Sequence, residues 1–354
     1  MYLEKLSNAF GVSGSEENVR DMIVEIAKPY ADEWQVDTMG NLFITRQARR
    51  GSKTPAQRVM VTAHMDEVGF LISKINNDGL LKFETIGGFD KRVLLGKSLV
   101  IGKNRIPGVI GLKPIHLLDH TERQSVPSIK SMYIDVGANS KGGTKVNIGD
   151  SATFSTQFGY LGGTPVEADS PPPKQGRVKG KAFDDRVGCA ILLELLKDEY
   201  DFDLIAVFTV QEEIGIRGAK VAAYRANPDL AIILECTAAD DLPRPNEEDE
   251  VGIPRLGDGP AITIMDRTFI ANRSLVDLLT ETAINEGIPY QFKRPGIGGT
   301  DAKEIHIARS GVPSAVVSVP ARYIHAPAAV LDLADFWHAV ELVQATLEHL
   351  PIEI

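Results

Sequence analysis

The segment Arg58-Val59-Met60-Val61-Thr62-Ala63-His64-Met65-Asp66-Glu67-Val68-Gly69 carries the clearest architectural signal in the chain. Its opening residues form a short apolar run that suits a buried strand. The run stops abruptly at His64-Met65-Asp66-Glu67, and after Gly69 the sequence changes character. Upstream, residues 15–30 place Val19, Met22, Ile23 and Ile26 at helical spacing, which predicts an amphipathic helix with Ser15 as its N-cap. Downstream come short β-type runs at 70–75, 80–86, 98–101, 132–136 and 151–155, punctuated by the glycine pairs at 87–88, 142–143 and 162–163. This pattern predicts a small β-barrel, with a polar, mobile loop over 115–130.

After Pro165 an α/β alternation resumes. Helices are expected at 186–197, 219–225, 272–286, near Asp301 and at 334–350, and strands at 204–210, 230–234, 261–265 and 315–319. The acidic, proline-rich stretch 240–254 reads as a long solvated loop. The expected architecture is an α/β domain in two segments, 1–67 and 165–354, interrupted by a β-barrel insertion at 68–164. At 354 residues the chain exceeds what one core usually supports, in keeping with two domains.

Composition narrows the function classes. Hydrophobic residues at 43% and charged residues at 24% describe a globular chain rather than a disordered one. A net charge of -10, without a stripe of Lys and Arg, argues against a nucleic-acid partner. Cys189 and Cys236 are too few for a disulfide framework, and Cys189 sits in an apolar run, so a reducing, cytoplasmic setting is expected. The start, Met1-Tyr2-Leu3-Glu4-Lys5, lacks the basic-then-apolar pattern of a signal, and no window of about 18 apolar residues suggests a membrane span.

Metal-ligand residue types fall where strands are predicted to end. His64 follows 59–63, Glu212 and Glu213 follow 204–210, Glu235 follows 230–234, and His325 follows 315–319 after a short loop, while Asp184-Asp185 opens a helix. Ligands of open α/β sheets bind at the carboxyl ends of strands, so these residues are expected to converge. Singly, each has a bland reading: a helix cap, a solvated turn, a hydrogen-bonded histidine. Together they would repel and desolvate one another unless cations neutralised them. Mixed imidazole and carboxylate donors suit Zn, Co or Mn better than Mg. One bridging carboxylate can hold two ions about 3.5 to 4 Å apart, leaving another free as general base. The residues alone leave open which of Glu212 and Glu213 is ligand and which is base.

At these positions the sequence resembles the tetrahedral (TET), glutamyl or deblocking aminopeptidases, a family of cocatalytic zinc exopeptidases. The matching motifs are Thr62-Ala63-His64-Met65-Asp66-Glu67-Val68-Gly69, Lys181-Ala182-Phe183-Asp184-Asp185-Arg186-Val187-Gly188, Gln211-Glu212-Glu213-Ile214-Gly215, Leu234-Glu235-Cys236-Thr237 and Arg322-Tyr323-Ile324-His325. Five motifs in this order span almost the whole chain. The resemblance implies a three-layer α/β/α mixed-sheet zinc-exopeptidase-like domain with an inserted β-barrel, two divalent metal ions per subunit, and removal of N-terminal residues from peptides. It implies that His64 and Glu213 bind one metal, that Glu235 and His325 bind the other, and that Asp184 bridges them. Glu212 is then the general base and Asp66 the carboxylate that orients the His64 imidazole. Many relatives carry Asp where this chain has Glu235, a departure that bears on metal preference and affinity. The resemblance also implies dimers made through the inserted domain, and often a hollow tetrahedral dodecamer that admits unfolded peptides.

The glycine-rich Pro295-Gly296-Ile297-Gly298-Gly299-Thr300-Asp301 lacks the Lys-Ser/Thr of a phosphate-binding loop, and its bland reading is a tight turn with Thr300 or Asp301 capping the next helix. In the family this stretch lies beside the substrate pocket, which makes Gly298, Gly299, Thr300 and Asp301 candidate substrate-binding residues. His116-Leu117-Leu118-Asp119-His120 mimics an inverted zincin motif but has Asp in place of Glu and follows Lys113-Pro114 in a predicted loop. No Gly-x-Ser-x-Gly elbow is present, which argues against a serine nucleophile. The competing readings are another dinuclear metal amidase or carboxypeptidase on the same scaffold, a metal-free glycosidase with paired carboxylates, and a non-catalytic relative.

Overall fold

A computed structural model describes residues 1–49, 56–162, 173–243 and 253–350. Helices α1 (Tyr2–Asn8) and α2 (Glu17–Ala27) precede a hairpin of β1 (Glu33–Val36) and β2 (Leu42–Arg46), then β3 (Arg58–His64). Six barrel strands follow: β4 (Gly69–Ile75), β5 (Leu81–Ile86), β6 (Ser98–Ile101), β7 (Ile106–Gly111), β8 (Tyr133–Asp135) and β9 (Ser151–Phe154), with the short helix α3 (His120–Gln124) between β7 and β8. Strands β10 (Gly159–Tyr160) and β11 (Arg177–Gly180) return to the main sheet. The chain then runs through α4 (Phe183–Leu195), β12 (Asp203–Thr209), α5 (Arg217–Ala226), β13 (Leu230–Ala238), β14 (Ala261–Thr263), α6 (Arg273–Glu286), β15 (Gln291–Phe292), α7 (Ala302–Ile305), β16 (Ser314–Arg322), β17 (Ala329–Asp332) and α8 (Leu333–Glu348).

The main sheet has the order β1-β2-β12-β3-β13-β16-β17-β11-β10, with β14 on β16 and β15 on β14. Its centre, β12-β3-β13-β16, is parallel. Such strands are covered on both faces and therefore read as unbroken apolar runs. Their side chains alternate between two cores. Val59, Val61, Leu204, Ala206, Leu230, Ile232 and Val317 pack under α4, α6 and α8. Met60, Ile205, Val207, Ala231, Ile233 and Val316 pack under α5 and α7. The result is the expected three-layer α/β/α arrangement of a zinc-exopeptidase-like fold.

Strands β4-β5-β8-β7-β6-β9 close into the expected barrel. Its core includes Phe70, which meets Phe83 and Phe154 edge-on at 5.2 and 5.5 Å and stacks on Phe89 at 5.0 Å. Such geometries are favoured by the ring quadrupole.

Several boundaries differ from expectation. Helix α2 starts at Glu17, not Ser15: the Ser15 hydroxyl accepts from Ser151 of the barrel at 2.7 Å instead of capping. The helix closes before Pro29, which has no N–H to continue it. Strand β13 runs on to Ala238 because its ladder with β16 continues to the pair Ala238–Ala321, so Glu235 lies within a strand rather than after one. The expected loop over 115–130 contains α3. The loop read at 240–254 falls largely outside the described residues, as does the return point at 165. Among the described residues no helix is long and apolar enough to cross a membrane.

Barrel, N-terminus and main sheet are tied by one buried charge cluster. Lys181 Nζ donates to both Glu67 oxygens at 2.7 and 2.8 Å and to the Ala9 carbonyl at 2.7 Å. Arg186 reaches Glu67 Oε1 at 3.4 Å, the Met65 carbonyl at 2.8 Å and the Leu6 carbonyl at 2.6 Å. Thr153 of β9 and the Gly11 amide complete the ring of donors around Glu67. Burial pushes the Lys181 ammonium down to about 8. Removing one partner of such a cluster leaves uncompensated charge in low dielectric, so Glu67→Gln is expected to cost about 3 to 5 kcal/mol of stability. Urea denaturation measures this as a lowered midpoint, and a loss below about 1 kcal/mol would show that Glu67 does not tie these elements together.

Candidate metal centre

Strand parity sets the site. Side chains of β3 at even positions and of β13 at odd positions point to the same face, the one that carries Met60, Ala231 and Ile233. His64 and Glu235 therefore emerge on one side at the carboxyl end of the sheet. Asp184 comes from the opening of α4, where Asp184 and Asp185 have non-helical backbone angles and are joined by a cis peptide bond. Glu212 and Glu213 come from the loop after β12, and His325 from the loop after β16, with its backbone in the left-handed region.

The sequence-predicted ligands do converge. His64 Nε2 lies 3.2 Å from Asp184 Oδ1 and 3.4 Å from Glu235 Oε1. His325 Nε2 lies 3.2 Å from Asp184 Oδ2 and 3.2 Å from Glu213 Oε1. The two oxygens of Asp184 thus face two imidazoles, one on each side. The pairing implied by the resemblance joins His64 with Glu213 and Glu235 with His325. The closest contacts instead join His64 with Glu235 and His325 with Glu213, although ligand atoms of His64, Asp184 and Glu213 also come within 4.8 Å of one another. The physical reason is that Glu235 projects from β13, beside β3, and so reaches His64 directly.

Asp66 organises the other side of His64. The His64 Nδ1 faces the Asp66 carbonyl at 3.2 Å and its carboxylate at 3.4 Å. A proton held there leaves Nε2 free to ligate. Asp66 Oδ1 also accepts from the Glu212 amide at 3.0 Å, and Oδ2 from the Glu213 amide at 3.2 Å and the Ser13 hydroxyl at 2.5 Å. Burial opposes its charge, but His64, Ser13 and Glu212 outweigh burial and hold the carboxyl below its usual range.

Charge is unbalanced throughout the cleft. Burial raises the carboxyls of Glu212, Glu213 and Glu235, the last to about 8. Burial likewise disfavours charge on His325, yet Asp184 and Glu213 draw its imidazolium up to about 11. The carboxylates demand positive charge that the protein's own cations do not supply. Glu213 Oε1 is buried and, among the described residues, has no hydrogen-bond donor despite its approach to His325. A divalent cation answers both features, and this oxygen and nitrogen donor set suits a borderline ion. The residues fit metal binding.

The substrate-loop candidates divide. Gly298 and Gly299 are exposed, whereas Thr300 and Asp301 are buried. Thr300 Oγ1 accepts from the Ala302 amide at 3.3 Å, in the manner of a cap, and Asp301 accepts from Thr209 at 2.5 Å beside the end of β12. Burial pushes Asp301 up to about 6. Asp185, paired with Asp184 in the sequence but given no separate role there, has a carboxylate that accepts from the His64 and Gly188 amides at 3.2 and 3.0 Å. Sequence reading missed Ser13 and Glu16, polar residues buried in a segment that read only as a helix start.

A mixed α/β/α sheet with a histidine–carboxylate cluster at its carboxyl edge and a closed barrel beside it defines a zinc-exopeptidase-like hydrolase. Within that class, the M42 glutamyl aminopeptidase family model matches residues 40–342, and the chain belongs to this family. It is accordingly an aminopeptidase, a hydrolase acting on peptide bonds, from a metal-dependent family. It is 33% identical to a glutamyl aminopeptidase of Lactococcus lactis, over 99% of this chain and 96% of that one. An aminopeptidase from the archaeon Desulfurococcus kamchatkensis shares 36% identity at a TM-score of 0.88, over 99% of this chain and 94% of that one. The Pyrococcus horikoshii TET1 peptidase, described as able to assemble into a tetrahedron or a large octahedral shell, shares 32% identity at a TM-score of 0.84, over 99% of each chain.

Because metal binding to the folded state alone stabilises it by mass action, about 2.7 kcal/mol at a hundredfold excess over Kd, exhaustive chelation is expected to lower the unfolding temperature and added zinc or cobalt to restore it. Scanning fluorimetry reads both. An unfolding temperature that ignores chelator and metal alike would contradict metal binding at this cluster.

Proposed function

We propose that the chain removes N-terminal residues from peptides at a dinuclear metal centre. His64, Asp184 and Glu235 would hold one ion, Glu213, Asp184 and His325 the other, with Zn or Co as the expected ions and Mn as an alternative. The observation that carries this reading is the Asp184 carboxylate, whose two oxygens each face a separate imidazole at 3.2 Å. When bound, the ions would polarise the scissile carbonyl and lower the pKa of water.

The chain's own groups do the rest. Asp66 fixes the His64 ring and, through two backbone amides, the Glu212-Glu213 turn. Glu212 is the general base: its backbone amide is held by Asp66, and its burial among carboxylates raises its affinity for a proton. It takes the proton as water oxygen attacks the carbonyl and returns it to the departing amine, so water is consumed and one amino acid and a shortened peptide are released. The acidic side chains of the cleft would hold the free N-terminal amine of the peptide. The exposed Gly298 and Gly299, with Thr300 and Asp301 behind them, would border the substrate.

The assembly reading is a homo-oligomer, a dimer or a tetrahedral dodecamer, built on dimer contacts through the inserted barrel domain (68–164) of a catalytic domain formed by 1–67 and 165–354. A cytoplasmic location is in keeping with two buried, unbridged cysteines. Light scattering distinguishes dimer from dodecamer.

Glu212→Gln tests the mechanism. Metal content is expected to match the wild type while kcat falls by about 10²- to 10⁴-fold, the range for a lost general base. An emptied site in that variant would reverse the roles of Glu212 and Glu213. Peptides with a free N-terminus are expected to be cleaved and their N-acetylated forms spared, as read by chromatography of the products; equal cleavage of both would end the aminopeptidase assignment.

A further inference from the structure

Glu16 is a buried carboxylate that the chemistry above does not use. It is 5% exposed, and it lies in the N-terminal segment that contacts the loop after β12 through Gln211. Its Oε1 accepts from the Gly14 amide at 2.8 Å and from the Gln211 amide at 3.2 Å. Gln211 immediately precedes Glu212 and has a φ of 58°, in the left-handed region. That conformation is unfavourable for a non-glycine residue and persists only where its surroundings hold it.

The three consecutive amides of residues 211–213 are received by just two carboxylates. Gln211 donates to Glu16, and Glu212 and Glu213 donate to Asp66. Asp66 also serves His64, whereas Glu16 accepts from the backbone amides of Gly14 and Gln211. Further anchors hold the segment: the Ser13 amide donates to the Glu67 carbonyl at 3.3 Å, and the Ser13 hydroxyl to Asp66. Burying a carboxylate is costly, and here burial and the neighbouring Asp66 push Glu16 up to about 7. An acceptor this expensive, aimed at the strained residue before the base, has a positional purpose.

We propose that Glu16 is a positioning residue that sets the reach of Glu212 by receiving the Gln211 amide and holding its left-handed turn. The proposal rests on Glu212 as general base. It requires an acceptor oxygen at a fixed reach, not a negative charge.

Three variants separate these properties: E16Q keeps the reach and an acceptor oxygen, E16D keeps the charge but withdraws the oxygen by one methylene, and E16L removes the acceptor at similar volume. Steady-state kinetics, metal content and unfolding temperature are measured for each. The expected result is a kcat loss of about 10- to 100-fold in E16L and E16D, as for a small misplacement of a catalytic group, with KM and bound metal within about twofold of wild type. E16Q is expected to stay within about threefold in kcat. If E16L fails to fold, the E16D and E16Q pair decides the matter. Full turnover in E16D, a loss in E16Q as deep as in E16D, or a fall in metal content that tracks the activity loss would each overturn the proposal. Glu212→Gln measured in the same series tells the two readings apart: if that variant keeps full turnover, the base assignment fails whatever Glu16 does.

Discussion

One electrostatic constraint underlies everything else: Asp184, Glu212, Glu213 and Glu235 are gathered in a desolvated cleft where, among the described residues, His64 and His325 are the cation-forming groups seen in ion pairs with them. Burial pushes several of these carboxyls up, and the carboxylates in turn pull the imidazoles toward protonation. A protein that only had to fold would avoid this arrangement, because unpaired buried charge costs several kcal/mol per ion. The cluster makes sense as a seat for cations, and the rest of the fold can be understood as the means of holding it open.

That holding is done by a second set of charges with a different logic. Glu67, Lys181 and Arg186 satisfy one another and the backbone of the N-terminal segment almost completely. They sit a few residues from His64 and Asp184 and meet the barrel through Thr153. The closed network gives rigidity to the very segments whose neighbours form the open one. Asp66 joins the two, since it accepts from the turn that carries Glu212 and Glu213 while facing the His64 ring.

Much of this was legible in the residues. The apolar run ending at His64 announced a buried strand with ionisable groups at its tip, and the parallel centre of the sheet confirms why that run is unbroken. The barrel was readable from short runs separated by glycine pairs, although β7, with Pro107 and Gly108 inside it, was not. Glu235 looks like a strand terminator, yet every residue of β13 from 230 to 237 is buried and its ladder with β16 continues, so the strand runs on. The hairpin of β1 and β2 also escaped notice, since an exposed edge strand such as β1 carries little apolar pattern.

Donor types, their placement near strand ends and the interruption of the α/β pattern by a β unit can all be read from the residues, because side-chain periodicity and residue chemistry are local properties. Which donors meet is settled by how the chain folds. Whether His64 contacts Glu213 or Glu235 depends on strand order, and β13 lies directly beside β3. Whether Glu16 caps a helix or receives the Gln211 amide depends on how residues 195 positions apart are packed together. Contacts of that kind leave no periodic trace in the chain, for they are set by the folding of distant segments onto one another.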